Sequence, residues 1–236
     1  MAPRPPLATP ERGISLIELL IASALGLILL LAAATLLMIQ LDEHRRLQTE
    51  TRLVQELRTV ADLIARDLRR AGYWGRASDS VRAASSTLNP YAGLSLPTPA
   101  RIGYSYSRDA VENQRADSNE RFGLRQNTGN RSADLRLGGS GLDPLDTDTW
   151  QALTDPATVR ITLIRFSPLT QDIPLLQHCP TPSCPAAASP SECPPRRIQR
   201  SVLIEIEGES VQRPGLRRRA IALSTLRNDE TIGACP

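Results

Sequence analysis

Lysine is missing from this 236-residue chain, and all 28 of its basic residues are arginine. The bias follows base composition, and it leaves every ion pair to the cation that holds carboxylates best. Aromatic residues are also scarce, with two Phe and two Trp, so any core must be built mainly from Leu, Ile, Val and Ala. Histidine is reduced to His44 and His178, which provide no metal-binding His pair. A net charge of +3 is too small and too evenly spread to indicate nucleic-acid binding by itself. There is no phosphate loop, and Gly138-Gly139-Ser140-Gly141 fails as a nucleophile elbow because Leu142 occupies the last place. An enzyme is not expected, and no cofactor is implied.

Cysteine is confined to positions 179, 184, 193 and 235. Their spacing lacks the paired C-x2-C knuckles of most zinc modules, although His178 adjoins Cys179. An even number clustered downstream of an apolar segment favours disulfides in an oxidising compartment. Three pairings are open. One of them, Cys193 with Cys235 and Cys179 with Cys184, would tie down the C-terminus and staple a Pro-rich excursion at 168–195. Asp143, Asp146 and Asp148 could ring a calcium ion, but that pattern between Pro and Thr is more often a turn.

Proline is absent from residues 14–71, and Gly26 is the only glycine between 14 and 71. Within this stretch, residues 19–41 carry no charge over 23 positions, whereas roughly 20 suffice to cross a bilayer. Glu18 stands at the start of the run, where an ionisable group is costly and therefore a functional candidate. A cleavable signal peptide with Ala32-Ala33-Ala34 as its cut site is the competing reading. A signal peptide has no use for Glu18, and the helical pattern does not stop after the alanines.

Beyond residue 41 the pattern becomes amphipathic. Leu47, Val54, Leu57, Ala61, Ile64, Leu68 and Ala71 recur at three- and four-residue steps and trace one helical face. Asp42 with Arg46 and Asp62 with Arg66 are one turn apart, and Gly72 is the expected terminator. Gly26 is the expected soft point. Residues 101–106, 159–166, 198–207 and 216–226 read as strands, with Val202, Ile204 and Ile206 on one face and Val159, Ile161 and Leu163 on another. Residues 108–158 read mostly as long polar loops with a strand at 134–137. The fold class is α+β: a long N-terminal helix whose amphipathic half packs on an antiparallel β-sheet. The Arg217-Arg218-Arg219 run could meet an anionic partner such as DNA, but a solvated strand edge is the plainer reading.

The segment GISLIELLIASALG resembles the class III signal of type IV prepilins and pseudopilins: a short basic leader, Gly at the cut, and Glu as the fifth residue after it. The matching residues are Gly13, Ile14 and Glu18, with Ile14 standing where the family usually has Phe. The run DLIARDLRRAGYWG at 62–75 is similar to the end of the stalk helix in minor pilins of the PilW type. The closing Leu226-Arg227-Asn228 is likewise common in pilin-like proteins. The resemblance implies a cytoplasmic leader at 1–13, a transmembrane or fibre-core helix at 14–41, an amphipathic half at 42–72 and a periplasmic β domain with disulfides at 73–236. It implies cleavage between Gly13 and Ile14 by prepilin peptidase, N-methylation of Ile14, and pairing of Glu18 with a new N-terminal amine during assembly. The implied protein is a minor pilin of pilus assembly, initiation or tip, sited in the inner membrane and then the fibre, with other minor pilins and the major pilin as partners. A type II secretion pseudopilin and a pilin-anchored adhesin are the alternatives.

Overall fold

The computed structural model describes residue 13 and residues 15–77, 89–180, 184, 193 and 195–233. The chain divides into two compact units, residues 1–48 and residues 49–236. One α-helix, α1 (Leu16–Leu68, 53 residues), passes without a break through Gly26. The expected soft point therefore does not interrupt the helix.

Within the second unit α1 buries Leu53, Leu57, Val60, Ala61, Ile64, Ala65 and Leu68. The predicted stripe is right from Leu57 onward. It fails before that, where Leu53 is buried, Val54 is only half-buried and Leu47 is exposed. Apolar periodicity ran on past the point where a sheet is available to cover it. The helix ends in turns that reach Gly72, whose φ of 76° is left-handed and which terminates the helix as expected.

Among the described residues, nine strands form two antiparallel sheets. The first sheet has the order β1 (Leu94–Thr98), β2 (Arg101–Ser105), β3 (Arg121–Asn127), β4 (Ser132–Gly138), β5 (Thr149–Ala152). The second has the order β6 (Val159–Pro174), β7 (Arg196–Ser210), β8 (Arg217–Thr225), and β9 (Glu230–Ile232) also pairs with β7. The region read mostly as polar loops thus contains three strands: β4, which includes the strand expected at 134–137, and β3 and β5, which were not expected. In β3 and β4 the polar residues Arg125, Asp134 and Arg136 lie on a sheet face that a loop covers, so the alternation of apolar and polar residues that marks a half-solvated strand is muted there.

A second correction concerns β6. Its register on β7 slips between Ile161 and Leu163, and the bulge moves the buried set from Val159 and Ile161 to Ile164 and Phe166. Leu163 is left half-buried. The strand also continues to Pro174, which takes the first part of the predicted Pro-rich excursion into the sheet. Val202, Ile204 and Ile206 of β7 are fully buried, as their alternation requires.

The outer edge of β6 would be a row of open N–H groups, and the turn ends of the first sheet cover it. Ile161 N–H donates to Arg131 C=O and Phe166 N–H donates to Pro99 C=O, each at 2.7 Å. Between them Ile164 N–H donates to the Gln126 side-chain oxygen at 3.1 Å, while the Gln126 amide donates to Thr162 C=O at 3.0 Å. The core fills the space that α1 and the two sheets enclose in this unit. It includes stacked Tyr104, Tyr106 and Phe122 from the first sheet and Val202, Ile204 and Ile206 from the second.

Candidate functional site

The N-terminal segment opens with Ser15, whose C=O accepts the N–H of Leu19 at 3.1 Å. Glu18 lies in the first turn of α1 and is exposed, at the helix end whose free N–H groups favour a carboxylate. Gly13 is exposed, and a Cβ placed on it would meet nothing within 4 Å. Packing within the chain therefore does not demand glycine there. Ile14 and residues 1–12 of the expected leader lie outside the described residues.

From Leu16 to Leu41 the large apolar side chains are uncovered, with exposures between 77% at Leu16 and 49% at Leu41. The helix is long and apolar enough to cross a bilayer. Its few hydroxyls do not spoil that surface. Ser23 Oγ donates to Leu20 C=O at 2.9 Å and Thr35 Oγ1 to Ala32 C=O at 2.8 Å, so each is satisfied by its own helix. An uncovered apolar surface of this length requires lipid or other apolar helices against it.

In the second unit the exit of α1 is closed by the end of the chain. Ser224 Oγ donates to Ala65 C=O at 2.8 Å and Arg227 N–H to Arg69 C=O at 3.4 Å. Asn228 Nδ2 donates to Ala71 C=O at 3.1 Å and to Arg70 C=O at 3.4 Å, and Asn89 Nδ2 donates to Gly72 C=O at 2.8 Å. These groups supply donors at the helix exit, where internal partners run short, and the Ala65 and Arg70 carbonyls also take the Arg69 and Tyr73 N–H groups at 3.3 and 3.0 Å. The Leu226-Arg227-Asn228 string noted in the sequence is thus a C-terminal cap supplied from a strand, with Leu226 buried in the core.

Asp67, in the last turn, accepts the hydroxyls of Tyr104 and, at 3.4 Å, Tyr106, while the Arg70 guanidinium lies 4.2 Å from the Tyr106 ring centre. Burial first, and the neighbouring Asp67 charge second, push the Tyr106 phenol up to about 12 and the Tyr104 phenol well above its ordinary value.

The three aspartates considered for calcium are taken up by protein partners. Asp143 accepts from Ser95, Asp146 pairs with Arg101 and Arg125, and Asp148 pairs with Arg136 at 2.8 Å. Together they strap residues 139–148 across the outward face of the first sheet. Gly103 and Gly123, opposite each other on β2 and β3, make this possible: a Cβ on Gly103 would overlap the strap at Leu142 and Pro144, and one on Gly123 would press on Pro144 and overlap the Ile102 carbonyl. The Gly138–Gly141 run belongs to the same strap, with Arg136 donating to Gly141 C=O at 2.8 Å and Arg121 to Ser140 C=O. Arg136 was invisible to sequence reasoning. Its position in β4 and the glycines that follow it were the only signals. A different acidic trio does assemble: Asp109, Asp117 and Glu120 bring carboxylate oxygens within 4.8 Å of one another. Glu120 is fully buried and accepts from Arg108 N–H at 2.6 Å and Asp117 N–H at 3.0 Å.

Among the described residues the cysteines are disulfide-bonded, but not in the Cys179–Cys184, Cys193–Cys235 pairing considered above. Cys184 bonds to Cys193 rather than to Cys179, so the bridge spans nine positions and closes the excursion on itself. Cys179 is also disulfide-bonded, and Cys235 lies outside the described residues.

The Arg217–Arg219 run is matched by glutamates. Arg217 pairs with Glu209 at 3.1 Å, Arg218 with Glu50 of α1 at 2.5 Å, and Arg219 with Glu207 at 2.8 Å. On α1, Arg46 reaches Glu43 at 3.7 Å, and Arg66 donates to the Asp62 carbonyl at 3.3 Å. His44 pairs with Gln48 at 3.0 Å, and His178 is exposed after β6.

Comparison with known families gives two matches. The model described as prepilin peptidase-dependent protein B matches residues 46–226. The prokaryotic N-terminal methylation motif matches residues 9–34, which include Gly13, Ile14 and Glu18. No curated protein and no solved structure matches the chain.

Proposed function

The chain belongs to the prepilin peptidase-dependent protein B family, and from that premise we propose that it is a minor pilin of the PilW type that takes part in type IV pilus assembly, initiation or the tip complex. The observation that carries the reading is the coincidence of the methylation motif at 9–34 with a helix that is uncovered and apolar through residue 41. That helix and motif fit anchoring in the inner membrane.

Prepilin peptidase cuts between Gly13 and Ile14 and the new amine of Ile14 is methylated. The leader 1–13 stays cytoplasmic, the helix at 14–41 crosses the membrane, and residues 73–236 form the periplasmic domain. On entry into a fibre the exposed carboxylate of Glu18 accepts an ion pair from such an amine, its own or a neighbour's. Inside an apolar fibre an unpaired carboxylate is so costly that the pair acts as a registry device. Other minor pilins and the major pilin cover the apolar helix, and the protein has no enzymatic role of its own.

Mass spectrometry of the mature protein tests the processing. The expected first residue is N-methylated Ile14, and any other first residue overturns the assignment. Glu18→Ala is expected to abolish co-purification with other minor pilins while leaving cleavage intact. Unchanged co-purification rules out the registry role.

A further inference from the structure

The outward face of the first sheet carries a line of charge: Arg101, Arg125 and Asp134 are successive partners across β2, β3 and β4. One end of the line is closed. Asp134 is nearly buried and accepts Arg125 Nε and Nη2 at 3.2 Å each, Asn127 Nδ2 at 2.9 Å and Ser132 Oγ at 2.6 Å. Its charge is balanced and its oxygens are well supplied with donors.

The other end is held differently. Arg101 pairs with Asp146 at 2.5 Å, and the same carboxylate oxygen takes Arg125 Nη1 at 2.9 Å, yet the Asp146 side chain is 76% exposed. Beside it opens a cleft of about 360 Å³ lined by Arg101, Arg125, Gln126, Asn127, Thr128 and Asp146. The Trp150 ring centre lies 4.1 Å from the Arg125 guanidinium and fixes its orientation.

We propose that this cleft binds a carboxylate side chain presented by an acidic peptide, with Asp146 as the internal occupant that the incoming carboxylate replaces. The Arg101 and Arg125 guanidiniums, side by side on adjacent strands, present Nη2 and Nη1 to a single carboxylate oxygen, and charge-assisted donors of this kind are the strong ones. The resident carboxylate is exposed, and exposed pairs contribute little, so exchange costs little. The cleft holds far more than one carboxylate group, which leaves room for the peptide that carries it. Release of Asp146 does not free the strap, because Asp148 remains on buried Arg136 two residues on. The inference is independent of the pilus-assembly reading.

The test is calorimetric titration of the full chain in detergent with N-acetyl-triglutamate amide, and with the triglutamine peptide as control. The wild type is expected to bind the first and not the second. Asp146→Asn is expected to bind triglutamate about fivefold more tightly, since it removes the competing occupant. Glu43→Gln, which removes one negative charge elsewhere on the surface, is expected to leave the affinity unchanged. Arg101→Gln is expected to lose binding. The proposal fails if Asp146→Asn binds no more tightly than Glu43→Gln, if folded Arg101→Gln still binds, or if sulfate competes as well as acetate does. Because Asp146 is exposed, the melting temperature of Asp146→Asn is expected to match the wild type, so the comparison with Glu43→Gln stands even if Arg101→Gln does not fold.

Discussion

Replacing Asp148 by asparagine strands the guanidinium of Arg136. The Arg136 side chain is 0% exposed and the Asp148 side chain 5%, with 2.8 Å between them, so neither charge has water to fall back on. Breaking a buried pair by removing one partner costs about 3–5 kcal/mol. Arg136 keeps its bonds to the carbonyls of Gly141 at 2.8 Å and Leu142 at 3.3 Å, which places the loss near the lower end, about 3 kcal/mol. For a unit of this size that corresponds to a fall in Tm of about 6–12 °C. Thermal unfolding of the full chain in detergent, followed by circular dichroism, measures it.

Two controls sharpen the test. Arg136→Met with Asp148→Asn removes both charges and is expected to be more stable than Asp148→Asn alone, because the cost lies in the uncompensated charge. Glu43→Gln breaks the exposed pair to Arg46 and is expected to cost no more than about 1 kcal/mol. The Trp150 indole N–H donates to Leu145 C=O at 2.9 Å within the strap, so its fluorescence reports whether the strap has lifted. If Asp148→Asn is no worse than Glu43→Gln, or the double variant loses the sum of both single effects, the reasoning from buried charge is refuted.

Alkaline unfolding is expected to track the buried tyrosines. Tyr106 is raised to about 12 and Tyr104 and Tyr91 are raised as well, so their stabilising contribution is complete below about pH 10 and is lost as pH rises through 12. With no lysine in the chain to titrate in that window, a denaturant midpoint that stays flat from pH 9.5 to 12 contradicts the burial of these phenols. Asn228→Ala takes the side-chain donor from the Ala71 carbonyl, whereas Arg70 C=O keeps the Tyr73 N–H at 3.0 Å, and the loss is expected to be about 1 kcal/mol, measured by urea denaturation. Cys184→Ser with Cys193→Ser opens a short loop and is expected to cost about 2.5 kcal/mol in the chain-entropy model, against about 4 kcal/mol for a long Cys193–Cys235 loop. Non-reducing peptide mapping that links Cys184 to Cys179 refutes that connectivity directly.

Sequence alone determined whatever depends on local spacing. An uncharged run and the glutamate at its head mark an apolar helix, and three- and four-residue steps mark its packed face from Leu57 to Ala71. Strict alternation marks Val202, Ile204 and Ile206, and Gly72 marks the helix end. Each of these is a property of one element, set by its own repeat and its backbone preferences. What only the tertiary structure decided involves partners distant in the chain. The bulge in β6 exchanges which side chains are buried because β7 imposes the register. Asp143, Asp146 and Asp148 look like ligands in sequence and turn out to be fasteners, because Ser95, Arg101, Arg125 and Arg136 come to meet them on one sheet face. Asn228 closes a helix that ended more than 150 residues earlier. Through-space charge and hydrogen-bond partners leave no periodic trace along the chain, and for that reason these features became legible only in three dimensions.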